Sequence, residues 1–314
     1  MNKHRRVGSC CLLQVYVGHL DCQTPVSIRD GKPRGVQDYP STSILPSQLE
    51  RQTVLYRLYL AVGVALAYPL FAIGCLGLLI LSLAMRLLGR PPPQRTRVLR
   101  ASFSGLCRGY LGYAHLFDLA RVRYHHVQPL DSGLIVANHP SLIDVLWLLA
   151  AYPQVCCVVK AEIEHNWLLR GLARDLDYVS NRDPEQLLAE GTERLRRGEL
   201  LLVFPEATRT VPGCLPNFRL GAAELLLRAE VAAHPVVLAK QDPYLSKAMP
   251  WYAFPTVPME WDIVQGPALG PWPADQSDAT RSAAQRARQA RRQINQELQQ
   301  HFHTELATDE TCAG

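Results

Sequence analysis

The sequence predicts an α/β fold, a largely parallel sheet flanked by helices, preceded by a hydrophobic N-terminal membrane helix or helix pair. Three observations carry that reading. Residues 58–85, "LYLAVGVALAYPLFAIGCLGLLILSLAM", run for 28 positions without a charge. Beyond about Leu130, short apolar runs alternate with helix-like amphipathic stretches, the pattern of strands and crossover helices. Polar blocks follow the ends of the apolar runs, where sites form in parallel sheets.

Residues 1–50 mix Gly, Pro, Ser and charge around one short apolar piece, 10–17. Gln14 interrupts that piece and no small-residue cleavage site follows it. Residues 1–50 therefore read as a flexible extension rather than a secretory signal. Residues 51–97 form a membrane-associated helical segment. About 20 apolar residues cross a bilayer core as a helix, so the uncharged run is long enough to span. Pro69 either kinks one helix or divides the run into two shorter ones that dip into one leaflet. Arg86, Arg90, Arg95, Arg97 and Arg100 follow the run. Their excess favours the following side as cytoplasmic, or lays them against anionic headgroups. "RPPP" at 90–93 reads as a linker.

Residues 98–270 form the catalytic-looking domain. "LIVA" (134–137), "VCCVV" (155–159), "DYVS" (177–180), "LLLVF" (200–204) and "PVVLA" (235–239) read as buried strands. Helix-like stretches at 140–151, 164–175, 184–197 and 218–230 separate them. Residues 271–314 form a C-terminal helical tail, its Ala-, Gln- and Arg-rich part at 278–306. This charge run reads as a solvated face, and without interleaved aromatics it gives no surface for nucleic acid.

The net charge of +5 suits an anionic membrane surface or a phosphorylated substrate. Nine cysteines, an odd number with no C-x-x-C pair, support neither a zinc site nor a disulfide framework. Walker, Rossmann, G-x-S-x-G and H-E-x-x-H patterns are absent, which argues against a nucleotide cofactor and against hydrolases of those types.

Two blocks carry chemistry. In "VANHPSLIDVLW" (136–147), His139 and Asp144 lie five positions apart, roughly 140° apart on a continuous helix. Pro140 as the first helical residue places His139 outside the helix, from where its imidazole folds back towards Asp144. Asp144 then fixes the tautomer and His139 acts as a general base. In "LLVFPEATRTVPG" (201–213), Glu206, Thr208, Arg209 and Thr210 follow a strand in a polar loop at the same sheet edge. Arg209 is suited to hold a phosphate, with Arg182 after "DYVSNR" placed to share it. Taken singly, each has a plainer reading: a surface ion pair of Glu206 with Arg209, and a turn cap at Arg182.

"NHPSLID", "DYVSNR" and "FPEATRT", in this order and spacing, resemble the Asn-His-x4-Asp, arginine-ending and Phe-Pro-Glu-Gly-Thr-Arg-Ser blocks of the glycerolipid acyltransferase superfamily, over about residues 100–265. The resemblance implies a membrane-bound O-acyltransferase. Its donor would be acyl-CoA or an acyl-carrier protein, and its acceptor a lysophospholipid such as 1-acyl-sn-glycerol 3-phosphate. It implies His139 as the base and Asp144 as its partner, with Arg182, Glu206, Thr208 and Arg209 binding the acceptor. No cofactor is called for. The implied location is a bacterial inner membrane, with the active site facing the cytoplasm. Ala207 stands where the family has glycine, and Thr210 where it has serine. If the family loop uses a left-handed residue at that glycine, Ala207 implies a differently shaped loop. "PYLSKAMPWYAFP" (243–255) is similar to acyltransferases of aryl-polyene lipid gene clusters, which makes an aryl-polyene or amino-lipid substrate an alternative. An inert lysolipid-binding membrane protein is a third reading, against which the intact His139 and Asp144 stand.

Overall fold

The computed structural model describes residues 54–159, 167–210, 214–240, 242, 244–250, 252–272 and 282–312. The expected extension at 1–50, and parts of the expected helix at 164–175, the loop at 201–213 and the tail, lie outside the described residues. Strands are β1 (Ala120–His125), β2 (Gly133–Ala137), β3 (Cys156–Val159), β4 (Val179–Ser180), β5 (Leu200–Val203), β6 (Ala233–Lys240) and β7 (Met259–Gln265). Helices are α1 (Val54–Leu87), α2 (Pro92–Leu116), α3 (Asp144–Ala151), α4 (Trp167–Asp175), α5 (Pro184–Arg196), α6 (Gly221–Ala229) and α7 (Ala283–Cys312).

The sheet order is β1-β7-β6-β2-β5-β3-β4. From β6 to β4 all neighbours are parallel, so five strands end at one edge. β7 runs antiparallel to β6, and β1 pairs parallel with β7. All five predicted strands are present. The central ones, β2 and β5, are buried throughout and read as unbroken apolar runs. The sequence reading missed β1 and β7. In β1, Ala120 and Val122 are buried while Arg121 and Arg123 are exposed and meet Glu260 and Asp262 of β7. Such alternation at a sheet edge reads as a polar segment.

Side chains alternate across the sheet. Ile135 and Leu202 face α1, α2 and α3 in one core with Leu60, Val64, Leu119, Trp147 and Trp261. Leu134, Val136 and Leu201 face α5, α6 and α7 in the other, with Leu225, Leu226, Leu298 and Phe302. α5 starts where Asp183 caps it, its Oδ1 accepting from the backbone N–H groups of Glu185 (2.8 Å) and Gln186 (3.1 Å).

Several expectations change. α1 runs unbroken through Pro69, so the apolar run is one helix and not two. Pro92 and Pro93 are not linker: they open α2, where a missing N–H costs nothing and φ is already helical. The expected boundary at 97/98 therefore falls inside α2. Three of the five arginines that follow the apolar run make contacts within the fold. Arg86 and Arg95 pair with Asp175, and buried Arg100 donates to the carbonyls of Leu176 (2.8 Å) and Asp177 (2.9 Å). Finally, α3 begins at Asp144 and not at Pro140. Residues 140–143 instead form a turn around the Asp144 carboxylate, which accepts both the Ser141 N–H and the Ser141 hydroxyl at 2.6 Å.

Candidate active site

The carboxyl ends of β2, β5 and β6 converge on one buried group of polar side chains. Asn138, directly after β2, continues the ladder by side chain: its Nδ2 donates to Leu238 O (2.9 Å) and its Oδ1 accepts from Leu238 N–H (2.7 Å). This clamps the chain to β6 one residue before His139. His139 Nδ1 lies 2.9 Å from Asp144 Oδ2, and the two side chains are 8% and 0% exposed. Phe204, at the end of β5, stacks on the imidazole with centroids 4.3 Å apart and planes 23° apart. The ring is thus held at its edge by Asp144 and on one face by Phe204. The expected pairing of His139 with Asp144 is present, although the turn that creates it differs from the one predicted.

Asp144 is saturated. Its Oδ2 accepts from His139 and from Ser141 N–H, and its Oδ1 accepts from Ser141 Oγ and from the indole Nε1 of Trp261 at 3.1 Å. Four donors thus converge on this buried carboxylate. An anion on that side favours the proton at Nδ1 and makes Nε2 the basic nitrogen. Ser141, whose hydroxyl is committed to Asp144, is not placed as a nucleophile.

Glu206 braces this loop against the next. One of its oxygens, Oε1, accepts the His139 backbone N–H at 2.9 Å and the Thr210 hydroxyl at 2.8 Å, while Thr210 N–H donates to His139 O at 2.8 Å. Burial pushes the Glu206 carboxyl up from its ordinary value, and the hydrogen bonds with His139 and Thr210 oppose that shift. Glu206 was expected in the acceptor-binding set; the structure places it, buried, as a tie between the two loops.

Ala207 has φ of +57°, the left-handed region. The expectation of a differently shaped loop is therefore corrected. The left-handed conformation that suits glycine is present with an alanine in it, at an exposed position. Thr208 and Arg209 follow, both half-buried. Arg209 Nη1 donates to Leu245 O and Ser246 O, each at 2.9 Å, which fixes the guanidinium plane. Burial lowers its pKa. The segment after β6 thus carries Arg209, and Leu245 O also accepts Leu142 N–H at 3.0 Å.

Arg182 is exposed beyond the carboxyl end of β4. β4 lies three strands from β2, about 14 Å across the sheet at the usual strand spacing. Arg209 is anchored on the β6 side, so the two arginines flank His139 rather than sit together. Sequence reasoning missed Asn138, Ser141, Trp261 and the carbonyls at 245 and 246. Asn138 and Ser141 sit in the His139 block and the two carbonyls in the 243–255 stretch, while Trp261 lies in no block that drew notice. Among the described residues, no group of His, Cys, Asp and Glu is placed to hold a metal ion.

Residues 121–239 match the family model described as Acyltransferase. The chain is similar to the 1-acyl-sn-glycerol-3-phosphate acyltransferase of Helicobacter pylori, at 30% identity over 132 residues, covering 39% of this chain and 55% of that protein. It is likewise similar to mouse 1-acyl-sn-glycerol-3-phosphate acyltransferase alpha, at 30% identity over 131 residues, covering 39% and 46%. The chain spans about half the length of the curated relatives it matches. The crystal structure of the 1-acyl-sn-glycerophosphate (LPA) acyltransferase PlsC from Thermotoga maritima shares the fold, with a TM-score of 0.53, covering 79% of this chain and 96% of that one at 19% identity.

Proposed function

We propose that this protein, whose residues 121–239 match the acyltransferase family model, transfers an acyl chain from a thioester donor to the free hydroxyl of a lysophospholipid such as 1-acyl-sn-glycerol 3-phosphate. Acyl-CoA or an acyl-carrier protein would be the donor. The observation that carries the reading is the buried 2.9 Å contact between His139 Nδ1 and Asp144 at the carboxyl edge of the sheet. His139 Nε2 takes the proton from the acceptor hydroxyl as its oxygen attacks the thioester carbonyl. The tetrahedral intermediate collapses with loss of the thiolate, which takes the proton back from the imidazolium. Asp144 stabilises that imidazolium. No enzyme nucleophile is needed, in keeping with the role of Ser141. Arg209, its plane set by two carbonyls, presents its remaining N–H groups to the acceptor phosphate, with Thr208 beside it. Arg182 binds at the opposite rim.

The lipid substrate is met at the bilayer surface. The exposed apolar side chains of α1, among them Leu58, Val62, Leu66, Ile73, Ile80 and Leu83, recur every three or four residues and form one stripe along its length. The opposite stripe packs on the protein from Leu60 to Met85. Both ends are tied down, Tyr59 by its hydroxyl to Phe117 O (2.7 Å) and Arg86 to Asp175 (2.7 Å). A helix of 34 residues, about 51 Å long, that stays docked and offers only one stripe to lipid lies in the interface rather than across the core. This favours a monotopic protein on the cytoplasmic leaflet, the side on which thioester donors are found.

The test is a matrix of acceptors (lysophosphatidate, other lysophospholipids, amino-lipids) against acyl-CoA and acyl-carrier-protein donors, read by product mass. Acylated lysophosphatidate is the expected product. Transfer to amino-lipids alone would replace the acceptor, and transfer to none would reject the reading.

A further inference from the structure

On the reading that His139 is the base, we propose that Trp261 is a positioning residue of the dyad, its indole N–H setting how tightly Asp144 holds the imidazolium. Three of the four donors to Asp144 come from its own turn, within five residues. The fourth comes from Trp261, 117 positions away on β7. That donor is rigid. Trp261 is fully buried, packs edge-to-face on Trp147 with centroids 5.5 Å apart, and lies opposite Lys240 in the β6–β7 register. Lys240 Nζ sits 4.9 Å from its ring centroid and is itself held by Asp242 at 2.5 Å. A cation over the π face draws density from the indole and makes its N–H a stronger donor.

The charged groups facing the dyad come from several elements. Glu206 and Arg209 stand on the loop after β5, Lys240 at the end of β6 and Asp242 just beyond it. Trp261 is the contribution of β7, uncharged yet bonded directly to the carboxylate. A donor on Oδ1 drains charge from the anion and weakens its hold on the protonated imidazole. The proton taken from the acceptor hydroxyl is then easier to pass to the departing thiolate. A tryptophan needed only for packing would be replaceable by any group of its shape.

The test uses the full-length protein in bilayer nanodiscs, comparing the parent with Trp261→Phe and with Trp261→3-benzothienylalanine, which keeps the bicyclic shape and puts sulfur in place of N–H. The readouts are the pH profile of kcat/KM with acyl-CoA and lysophosphatidate, and the NMR titration of the His139 imidazole, assigned by difference from His139→Asn. In both variants the His139 titration and the acid limb of kcat/KM should move to higher pH. On the acid side the loss should be about threefold or more, as expected when a charge-assisted hydrogen bond is removed, and the alkaline plateau should be largely kept. A folded benzothienylalanine variant whose His139 titrates as in the parent overturns the proposal. Because the titration needs no turnover, a parent protein inactive on every acceptor would reject the function proposed above and leave this inference to be decided separately.

Discussion

At the scale of single residues, the site rests on side chains that serve neighbouring side chains. His139 is set by Asn138 behind it, Phe204 on its face and Asp144 at its edge. Ala207 shows the cost of keeping a loop shape without the residue that suits it. A left-handed L-residue is disfavoured by roughly 1–2 kcal/mol, and glycine gives part of that back through its looser unfolded chain. Ala207→Gly should therefore raise stability by about 1 kcal/mol, seen as a rise of roughly 2–4 °C in the unfolding midpoint, with the His139 loop unchanged. Glu206 gives a pH-dependent counterpart. Its folded carboxyl titrates above the usual 4.5 because it is buried. Its contribution to stability is thus present in full below that value and is lost as pH rises through the folded pKa. Glu206→Gln keeps one oxygen to accept from His139 N–H and Thr210 Oγ. It should be at least as stable as the parent at pH 7, with the advantage vanishing on acidification. Denaturation curves at several pH values would reveal the opposite slope if Glu206 were instead stabilised as the anion.

At the scale of elements, α1 is where sequence and structure diverge most usefully. The run without charge marks a helix long and apolar enough for a membrane, but only the packing shows that its stripe from Leu60 to Met85 belongs to the protein. Leu66, Ile73 and Ile80 are each more than half exposed on the apolar stripe that would meet lipid. Replacing all three by Ser removes about 1 kcal/mol of insertion energy apiece, so partitioning onto vesicles should fall by roughly a hundredfold with the fold retained. Flotation with liposomes measures this directly. The parallel strands were legible because burial on both faces leaves only apolar residues. β1 and β7 were not, because the edge strand β1 and its neighbour β7 carry arginines and carboxylates that pair between them. α2 was hidden behind three prolines that look like a linker and act as a helix start.

At the scale of the whole molecule, the sheet divides two cores. The one on the α1–α2 side contains Trp147 and Trp261 and supports the dyad from beneath, so α1, α2 and the His139 loop share a core. The polar blocks at strand ends were readable because parallel strands place their ends at one edge. What the sequence could not show was long-range support: Trp261 reaches Asp144 across 117 positions, and the carbonyls at 245 and 246 reach Arg209 across 36 and 37. Nothing in a local motif marks such partners. The central claim is that His139, held by Asp144, removes the proton from the acceptor hydroxyl. The most direct measurement is the rate of lysophosphatidate acylation from acyl-CoA by purified protein in nanodiscs, for the parent and His139→Ala. The account predicts a fall of about 10²-fold or more with an unchanged unfolding midpoint; a folded His139→Ala protein that acylates at the parent rate would contradict it.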